Sequence, residues 1–367
     1  MDIALITYPM DTDPSGIGVV VRNLVENIVS VDDRNRYSLL HHAKTGAPVY
    51  SGREVLYKRF HYLPCMFSDS FFLYRNSTRF DVVHRFLPGG FLYKVESKVV
   101  LTVHDLFFYK HYSFNRKFRV RNLLGRYFNR KMIEGADALI AVSEFTKKEI
   151  LATFRVDPGK VHVVYNAVAG DAPEGNRGTL EEKYGIRNNY ILFVGTIEPR
   201  KNLLGLVRAY EILAGKHGVD LDLVVVGKKG WDFRTTLDYI TRSRYRDRIR
   251  LVGYVPSEDL GLFYRHANLF VYPSLMEGFG LPPLEAMACG CPVLISNTSS
   301  LPEVADDPGM MFDPLDLGEI TEKCLAVLND NHVRKANLEQ GRKNVARFSW
   351  RASAEKLVRI YNSLEHA

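Results

Sequence analysis

Hydrophobic and polar positions alternate along the 367-residue chain between two kinds of segment. Short apolar runs rich in β-branched residues, bounded by turn residues, are typical of strands buried on both faces of a parallel sheet. Amphipathic stretches with helical spacing separate these runs. The pattern predicts strands over residues 2–8, 81–86, 98–105, 137–143, 160–166, 190–196, 221–227, 249–255, 268–274 and 291–296.

The amphipathic stretches predict helices, and two of them follow a serine that can cap the first turn. These serines are Ser143 and Ser349. The clearest helical patterns cover residues 18–30, 143–154, 202–216, 257–267 and 348–364. Strands and helices that alternate along a chain indicate an α/β fold with parallel sheets.

The alternation comes in two blocks, which the polar stretch 169–178 separates. It predicts two doubly wound, Rossmann-like α/β domains, residues 1–168 and 169–349, followed by a final helix over 350–367. Ligands bind beyond the carboxyl ends of the strands in open α/β sheets, so two such domains facing each other would form a central cleft. We therefore expect the functional residues directly after strands.

The composition is that of an ordinary soluble globular protein, with 46% hydrophobic and 25% charged residues. The N-terminus predicts a buried strand rather than a signal peptide, and no apolar run approaches the ~20 residues that span a bilayer. The cysteines lack the paired spacing of metal or redox motifs, which favours small buried thiols in a reduced, cytoplasmic protein. They are Cys65, Cys289, Cys291 and Cys324.

The excess positive charge, a net +7, lies in the N-terminal half. Residues 1–168 contain 24 Lys/Arg and 16 Asp/Glu, whereas the remainder contains 25 and 26. Residues 106–133 contain eight Lys/Arg and no acid, interleaved with apolar side chains. Such a segment either lies on an anionic membrane surface or packs its apolar side into the domain, and no nucleic-acid-binding motif accompanies it. The interleaved residues include Phe114, Phe118, Leu123, Tyr127 and Phe128.

The first candidate site is the turn FVGTIEPRKNL, residues 193–203, which follows a predicted strand. Arg200 and Lys201 lie there shortly before a predicted helix. Adjacent cations beside a helix N-terminus suit an anion such as pyrophosphate. A solvated basic turn is the alternative interpretation.

The second candidate site is LMEGFGLPPLEAMACGCP, residues 275–292. Gly278 and Gly280 allow backbone N–H groups to approach a phosphate or sugar oxygen closely. We expect Glu277 to face the ligand from the loop. We expect Glu285 in the first turn of a helix, where the dipole keeps it ionised and suited to accept from sugar hydroxyls. Helix capping by Glu285 and a surface position for Glu277 are the alternatives.

Several motifs, in their order along the chain, resemble the retaining nucleotide-sugar glycosyltransferases of family four, which have the two-domain GT-B fold. In the C-terminal half these are VGTIEPRKN, VVGKKGW, LVGYVPSEDL, EGFGLPPLE and CGCPVLISNTSSLPEV. In the N-terminal half SGIGVVVRNL, LTVHDL and AVSEFTKKEI are similar to the family's motifs. The resemblance covers nearly the whole chain, is weakest over residues 43–80, and implies that the last helix returns to the N-terminal domain.

The resemblance implies a role for each matching side chain. Glu277 would contact the donor sugar near the reaction centre, and Glu285 would bind the donor ribose. Arg200 and Lys201 would neutralise the departing diphosphate. His104, at the end of a predicted strand, would bind a sugar hydroxyl.

The resemblance also implies contacts from the backbone. Gly16 would approach the phosphates closely, and Tyr254 and Val255 would present backbone groups to the base. Amide groups of four consecutive residues would hold sugar hydroxyls and phosphate. These are Gly278, Phe279, Gly280 and Leu281.

One position departs from the family pattern, because Thr196 stands where many members have an arginine. Arg200 could take over the task of that arginine. The GT-x-EPRKN form of the turn resembles members that use mannosyl donors, so the resemblance implies GDP-mannose or a UDP-linked sugar as the donor. No cofactor and no metal are expected.

The resemblance implies a hexosyltransferase of polysaccharide biosynthesis for the cell envelope. The acceptor would be a lipid-linked or surface glycan, and the enzyme would act in the cytoplasm or at the inner membrane face. Retention without a well-placed second carboxylate suggests same-face attack, in which the departing phosphate oxygen takes the acceptor proton.

Two other functions fit parts of the sequence. A non-catalytic nucleotide-sugar-binding protein could share the fold, but the Glu277/Glu285 pair and the basic turn argue against it. An NAD-dependent oxidoreductase is suggested by GIG at 16–18, but Val21 stands where the fingerprint needs glycine or alanine. The DTD sequence at 11–13 favours a turn over a metal site, and His84 is expected to be structural.

Overall fold

The structure, a computed structural model, describes residues 1–7, 9–12, 16–42, 53–56, 72, 75–87, 96–110, 119–168 and 176–365. Contacts within the chain define two units. One contains Met1–Asn166 and Ser349–Ala367, and the other contains Ala167–Phe348. For comparison, the sequence predicts the domain boundary at residue 168 and the final helix over 350–367.

The N-terminal unit is built on a parallel sheet. Its strands within the described residues are β1 Asp2–Ile6, β2 Arg36–His41, β3 Glu54–Leu56, β4 Val82–Arg85, β5 Lys98–Val103, β6 Ala138–Ala141 and β7 Val161–Val163. Their order is β3-β2-β1-β4-β5-β6-β7, which reverses between β1 and β4. The helices are Pro9–Thr12, Ile17–Val31, Phe107–Lys110, Arg119–Gly135, Glu144–Thr153 and Trp350–Ser363.

The C-terminal unit has a second parallel sheet. Over residues 176–348 its strands are β8 Tyr190–Val194, β9 Asp222–Val226, β10 Ile249–Gly253, β11 Leu269–Tyr272, β12 Val293–Ser296 and β13 Met311–Phe312. Their order is β10-β9-β8-β11-β12-β13, the Rossmann arrangement with its reversal between β8 and β11. The helices are Arg177–Tyr184, Leu203–Lys216, Phe233–Arg242, Ser257–His266, Leu281–Ala288, Leu301–Ala305, Leu317–Asn329 and Asn331–Ala346.

All ten predicted strands are present, but the sequence pattern does not predict β2, β3 and β13. Polar residues Arg36, Ser38 and His41 interrupt β2, so it lacks the continuous apolar run that reveals a buried parallel strand. The other two contain three and two residues, too few to show a period. Each missed strand is specified by the neighbouring strand with which it pairs.

The two predicted serine caps are confirmed. The Ser143 side chain accepts a hydrogen bond from the backbone N–H of Thr146 at 3.0 Å. The Ser349 side chain accepts one from the backbone N–H of Ala352 at 3.4 Å. Each bond satisfies one of the N–H groups that a helix leaves unpaired at its start.

The terminal helix Trp350–Ser363 packs against Ile17–Val31 within the N-terminal unit. Buried polar groups fasten it there. The Tyr361 hydroxyl lies 2.5 Å from Nδ1 of His84, whose Nε2 lies 2.8 Å from the Thr102 hydroxyl. Both ring nitrogens of His84 are therefore engaged inside the unit, as expected of a structural histidine.

The described part of the basic segment packs partly onto its own unit. The guanidinium of Arg126 lies over the Tyr109 ring at 4.8 Å, and that of Arg130 lies over the Phe154 ring at 5.8 Å. Tyr127 points outward and is 55% exposed. These contacts support the packed interpretation for one face of the helix. Phe114, Phe118 and the Leu123 side chain lie outside the described residues.

No described helix combines the length and the apolar character that a membrane crossing requires. Among the described cysteines, Cys291 and Cys324 are buried free thiols and Cys289 is a partly buried one. Burial raises the pKa of all three thiols, that of Cys289 to about 11, which disfavours the thiolate form at neutral pH. Cys65 lies outside the described residues.

Candidate functional site

The candidate site of the C-terminal unit lies at the switch point of its sheet, where the carboxyl ends of β8 and β11 are neighbours. The single turn Pro199–Lys201 follows β8, and the loop 273–280 follows β11. Parallel strands end at the same edge of a sheet, so residues about 76 positions apart in the chain meet there. The predicted position after strand ends is confirmed for both segments.

Glu277 is the centre of a buried cluster at this point. Its Oε1 atom accepts hydrogen bonds from Lys201 Nζ at 2.5 Å, from the Ser274 hydroxyl at 2.6 Å and from the Tyr272 hydroxyl at 2.9 Å. Its Oε2 atom accepts from Arg200 at 3.1 Å. The carboxylate thus turns toward the strand ends and two cations, and the alternative of a surface acid is wrong.

Arg200 joins Glu277 to a second acid, Glu198. The Nε atom of Arg200 donates to Glu198 Oε1 at 2.8 Å, while its Nη1 donates to Glu277 and to the Met276 carbonyl at 3.1 Å each. Lys201 also donates to the Tyr272 hydroxyl at 2.7 Å. Two cations and two carboxylates, all nearly buried, therefore form a cluster of ion pairs whose formal charges cancel.

The cluster keeps Glu277 ionised. Burial by itself raises the pKa of Glu277, but the charges of Lys201 and Arg200 outweigh burial and hold the pKa below its usual value. Burial lowers the pKa of Lys201, which Glu277 opposes. Burial raises the pKa of the Tyr272 hydroxyl far above its usual range, so the hydroxyl stays protonated and donates. Glu277 is consequently an acceptor and a counter-ion rather than an acid.

Two serines after β12 hold the backbone of the loop. The N–H of Glu277 donates to the Ser299 hydroxyl at 2.9 Å. The Ser300 hydroxyl donates to the Glu277 carbonyl at 3.0 Å and to the Phe279 carbonyl at 2.9 Å. Gly278 is buried, and the Phe279 ring packs edge-on against Phe348.

Gly280 leads into the helix Leu281–Ala288 with a left-handed backbone, φ +114°. A Cβ atom at this position would lie 2.7 Å from Cδ2 of Leu301, so only glycine fits both the conformation and the space. The helix begins at Leu281, directly after the glycines. Pro282 and Pro283 have no N–H, so the N–H groups of Gly280 and Leu281 are the ones that give this end of the helix a partial positive charge.

Glu285 departs from the sequence prediction. It is the fifth residue of the helix and lies in the second turn rather than the first. Burial raises the pKa of Glu285, although the Tyr264 hydroxyl, which donates to its Oε2 at 2.8 Å, opposes this. Burial therefore outweighs the helix dipole and raises the pKa instead of lowering it, because the dipole acts only near the end of the helix whereas burial acts on the whole side chain.

Tyr254 and Val255 follow β10 at the same edge of the sheet. Tyr254 is 42% exposed, and Lys228 Nζ lies 4.4 Å above its ring. Val255 is buried. The strand ends approach closely here, because the Gly227 N–H donates to the Gly253 carbonyl at 2.7 Å.

The two predicted residues of the N-terminal unit follow β1 and β5 of its sheet. Gly16 is exposed and caps the helix Ile17–Val31 with a positive φ of 59°. His104 Nε2 lies 2.9 Å from the Phe86 carbonyl, so Nε2 carries the proton and donates. Burial lowers the pKa of His104, which leaves a neutral ring with Nδ1 as an acceptor. These two residues belong to a different unit from the cluster around Glu277.

The described residues contain no group of three His, Cys, Asp or Glu side chains arranged to hold a metal ion. The side chains of the DTD sequence at 11–13 lie outside the described part. The side chains that complete the cluster are not predicted from the sequence. Glu198 lies inside the quoted EPRKN motif, Tyr272 ends β11 and Ser274 lies in the loop after it, so their positions at or after strand ends were the available signal.

Two family models match the chain, one for each unit. The model described as Glycosyltransferase Family 4 matches residues 14–171, and the model described as Glycosyl transferases group 1 matches residues 176–344. The chain is 34% identical over 284 residues to O-antigen chain mannosyltransferase B of Escherichia coli, covering 76% of this chain and 73% of that protein. It is 32% identical over 238 residues to serotype-specific mannosyltransferase WbdA of Escherichia coli, which covers 63% of this chain but only 29% of that longer protein.

Solved structures with the same architecture share little sequence with the chain. Sucrose-phosphate synthase from Thermosynechococcus elongatus superposes with a TM-score of 0.78 at 20% identity, covering 100% of this chain and 99% of that one. HepE from Anabaena, solved in complex with UDP-glucose, gives a TM-score of 0.76 at 15% identity, covering 99% and 100%. At these identities the likeness concerns the fold.

Proposed function

The chain belongs to glycosyltransferase family 4 and has the GT-B fold, and we propose that it moves a hexose, with mannose favoured, from a nucleoside diphosphate sugar to a glycan. The observation that carries this proposal is the cluster at the ends of β8 and β11, where ionised Glu277 lies between Arg200 and Lys201. Cations beside a helix N-terminus suit a diphosphate, and a carboxylate acceptor suits sugar hydroxyls. A nucleotide sugar combines both groups in one molecule.

The cations would act on the leaving group. Departure of a nucleoside diphosphate builds negative charge, which Arg200, Lys201 and the amides at the start of Leu281–Ala288 would stabilise. Glu285 would accept from the donor ribose, and Tyr254 and Val255 would lie along the base. From the N-terminal unit, Gly16 and His104 are assigned to the phosphates and to a sugar hydroxyl by the family resemblance.

The state of Glu277 favours same-face attack with retention. A double displacement needs a strongly nucleophilic carboxylate, but four hydrogen-bond donors, two of them cationic, contact the oxygens of Glu277 and reduce its nucleophilicity. An ionised carboxylate also cannot protonate the leaving oxygen. The departing phosphate oxygen would therefore take the proton of the attacking hydroxyl on the same face. We propose that the reaction requires no metal and no cofactor.

The names of the relatives support the choice of substrates. O-antigen chain mannosyltransferase B suggests a mannosyl donor such as GDP-mannose, whereas the UDP-glucose complex of HepE keeps a UDP-linked sugar as the second candidate. An O-antigen is a cell-surface polysaccharide, so we propose a lipid-linked or surface-glycan acceptor. We place the reaction in the cytoplasm, at the inner face of the membrane.

A donor panel tests this function. Purified chain is incubated with GDP-mannose, UDP-glucose, UDP-N-acetylglucosamine, ADP-glucose and dTDP-glucose, with and without a mannose-terminated lipid-linked oligosaccharide. Chromatography of released nucleoside diphosphate should show the fastest turnover with GDP-mannose and acceptor. NMR of the product should show the anomeric configuration of the donor, and EDTA should leave the rate unchanged. Failure of every donor to react would contradict the proposed glycosyl transfer. An inverted product would contradict retention, and loss of activity in EDTA would contradict metal independence.

The basic segment 106–133 supports a further part of the proposal, contact with an anionic membrane. Tyr127 and Lys131 lie on the exposed side of the helix Arg119–Gly135, with Lys131 Nζ 5.9 Å above the Tyr127 ring. Aromatic and basic side chains together suit a headgroup region. Co-sedimentation with phosphatidylglycerol vesicles, but not with phosphatidylcholine vesicles, is expected at low salt and should weaken in Tyr127→Ser/Lys131→Ser. Equal binding to both lipids, or to neither, would exclude this contact.

A further inference from the structure

Glu198 is a buried acid that the site chemistry described above leaves without a task. Its side chain is 8% exposed, and its Oε1 atom accepts from Arg200 Nε at 2.8 Å. The backbone beside it is fixed, because the Ile197 N–H donates to the Lys228 carbonyl at 2.9 Å and the Gly230 N–H donates to the Ile197 carbonyl at 3.0 Å. The fold therefore holds this carboxylate against Arg200.

The contact constrains the orientation of Arg200. A guanidinium group is planar and presents its N–H donors in a fixed fork. When Nε is directed at Glu198 and Nη1 at Glu277, the plane of the group is defined by two carboxylates on two sides. Glu198 thus helps to determine the orientation of the Arg200 guanidinium in the cluster.

The same contact also reduces the electrostatic attraction of Arg200 for other anions. Arg200 and Lys201 carry two positive charges, and Glu198 and Glu277 cancel both. In a buried site a carboxylate beside a cation strongly weakens the attraction of that cation for a further anion. Without Glu198 the cluster would carry one net positive charge and would bind a diphosphate more tightly.

We infer that Glu198 is a positioning residue that directs Arg200 and lowers the affinity of the cluster for the diphosphate, so that the nucleoside diphosphate product can leave. This inference rests on the proposed function, which assigns the diphosphate to Arg200 and Lys201. Because the cluster has no net charge, it binds the diphosphate only while the rest of the donor, including the sugar, also contacts the site. After transfer, the product lacks the sugar contacts and dissociates.

Calorimetric titration with GDP, UDP and inorganic pyrophosphate tests the inference on the full chain. Four proteins form a cycle: wild type, Glu198→Gln, Arg200→Ala and the double variant. Glu198→Gln should bind pyrophosphate and the preferred nucleoside diphosphate about tenfold more tightly than wild type, and its kcat should fall because product release slows. The gain should vanish in the Arg200→Ala background, because Glu198 acts through Arg200.

The control is Glu211→Gln, which removes one negative charge from the same unit at a partly buried acid that accepts from the Tyr239 and Ser243 hydroxyls. It should leave all affinities unchanged. If Glu198→Gln is too unstable to purify, Glu198→Asp keeps the charge but withdraws it from Arg200, and an affinity gain of about twofold is expected.

An unchanged or weaker affinity in Glu198→Gln, or a gain that persists without Arg200, would overturn the inference. Failure of wild type and Glu198→Gln to bind any of the three anions would also overturn it. Failure of the proposed function has a different signature. If the proposed function is wrong, no nucleotide sugar reacts in the donor panel. The titration of the four proteins with pyrophosphate still shows whether Glu198 lowers the affinity of the cluster for an anion.

Discussion

Replacing Glu277 by glutamine tests how much the buried charge cluster contributes to the stability of the C-terminal unit. Glutamine has the shape of glutamate, so the substitution removes charge with little change in volume. Its single oxygen can still accept from Lys201 or from Ser274, but its NH₂ group must face donors. Lys201 then keeps the neutral Tyr272 hydroxyl as an acceptor and loses its charged partner.

The expected loss follows from burial. The side chains of Lys201 and Glu277 are 10% and 9% exposed, so solvent screens their interaction little. Removing one member of a buried pair costs about 3–5 kcal/mol, because the other charge stays buried without compensation. We expect about 3 kcal/mol, the lower limit, because the glutamine oxygen and Tyr272 still accept from Lys201 and because Arg200 retains Glu198.

Urea unfolding measures this loss. The chain has two tryptophans, Trp231 in the C-terminal unit and Trp350 in the N-terminal unit. Fluorescence in a Trp350→Phe background therefore follows the C-terminal unit alone. The transition of Glu277→Gln should move to lower urea with an unchanged slope, whereas that of the Lys201→Met/Glu277→Gln double variant should recover most of the shift.

The effect should also depend on pH. The folded-state pKa of Glu277 lies below the usual value of 4.5, so its contribution is complete above pH 4.5 and disappears as the pH falls through the folded-state value. Wild type and Glu277→Gln should therefore converge in acid. A loss below about 1 kcal/mol at pH 7, or a double variant no more stable than the single one, would refute the reasoning.

Three further substitutions have defined outcomes. Glu285→Gln should raise the thermal midpoint at pH 7, because an acid whose pKa is raised by folding opposes folding when it is charged. The same substitution should weaken donor binding in calorimetry. Gly227→Ala would place a Cβ atom 2.0 Å from the Gly195 carbonyl oxygen, so the ends of β8 and β9 must separate and nucleotide binding should be lost. Gly16→Ala meets no atom within 4 Å but has a φ of +59°, so unfolding should show a loss of about 1–2 kcal/mol and transfer should slow.

The order of elements could be predicted from the sequence because it depends on local patterns. Runs such as residues 221–227 and 268–274 are buried on both faces and show this directly as continuous apolar segments. Ser143 and Ser349 cap helices through bonds that span three residues, which the chain specifies locally. The strands β2, β3 and β13 escaped prediction because their pairing partners, rather than their own composition, define them.

The candidate residues of the C-terminal unit were also accessible from the sequence, because strand ends converge at one edge of a parallel sheet. Their chemical states were decided by tertiary structure alone. Whether Glu277 is ionised depends on Arg200 and Lys201, about 76 positions away, and Glu285 has a raised pKa because residues from other elements bury it. Charge interactions and desolvation depend on distance and burial, which a sequence does not contain until the chain has folded.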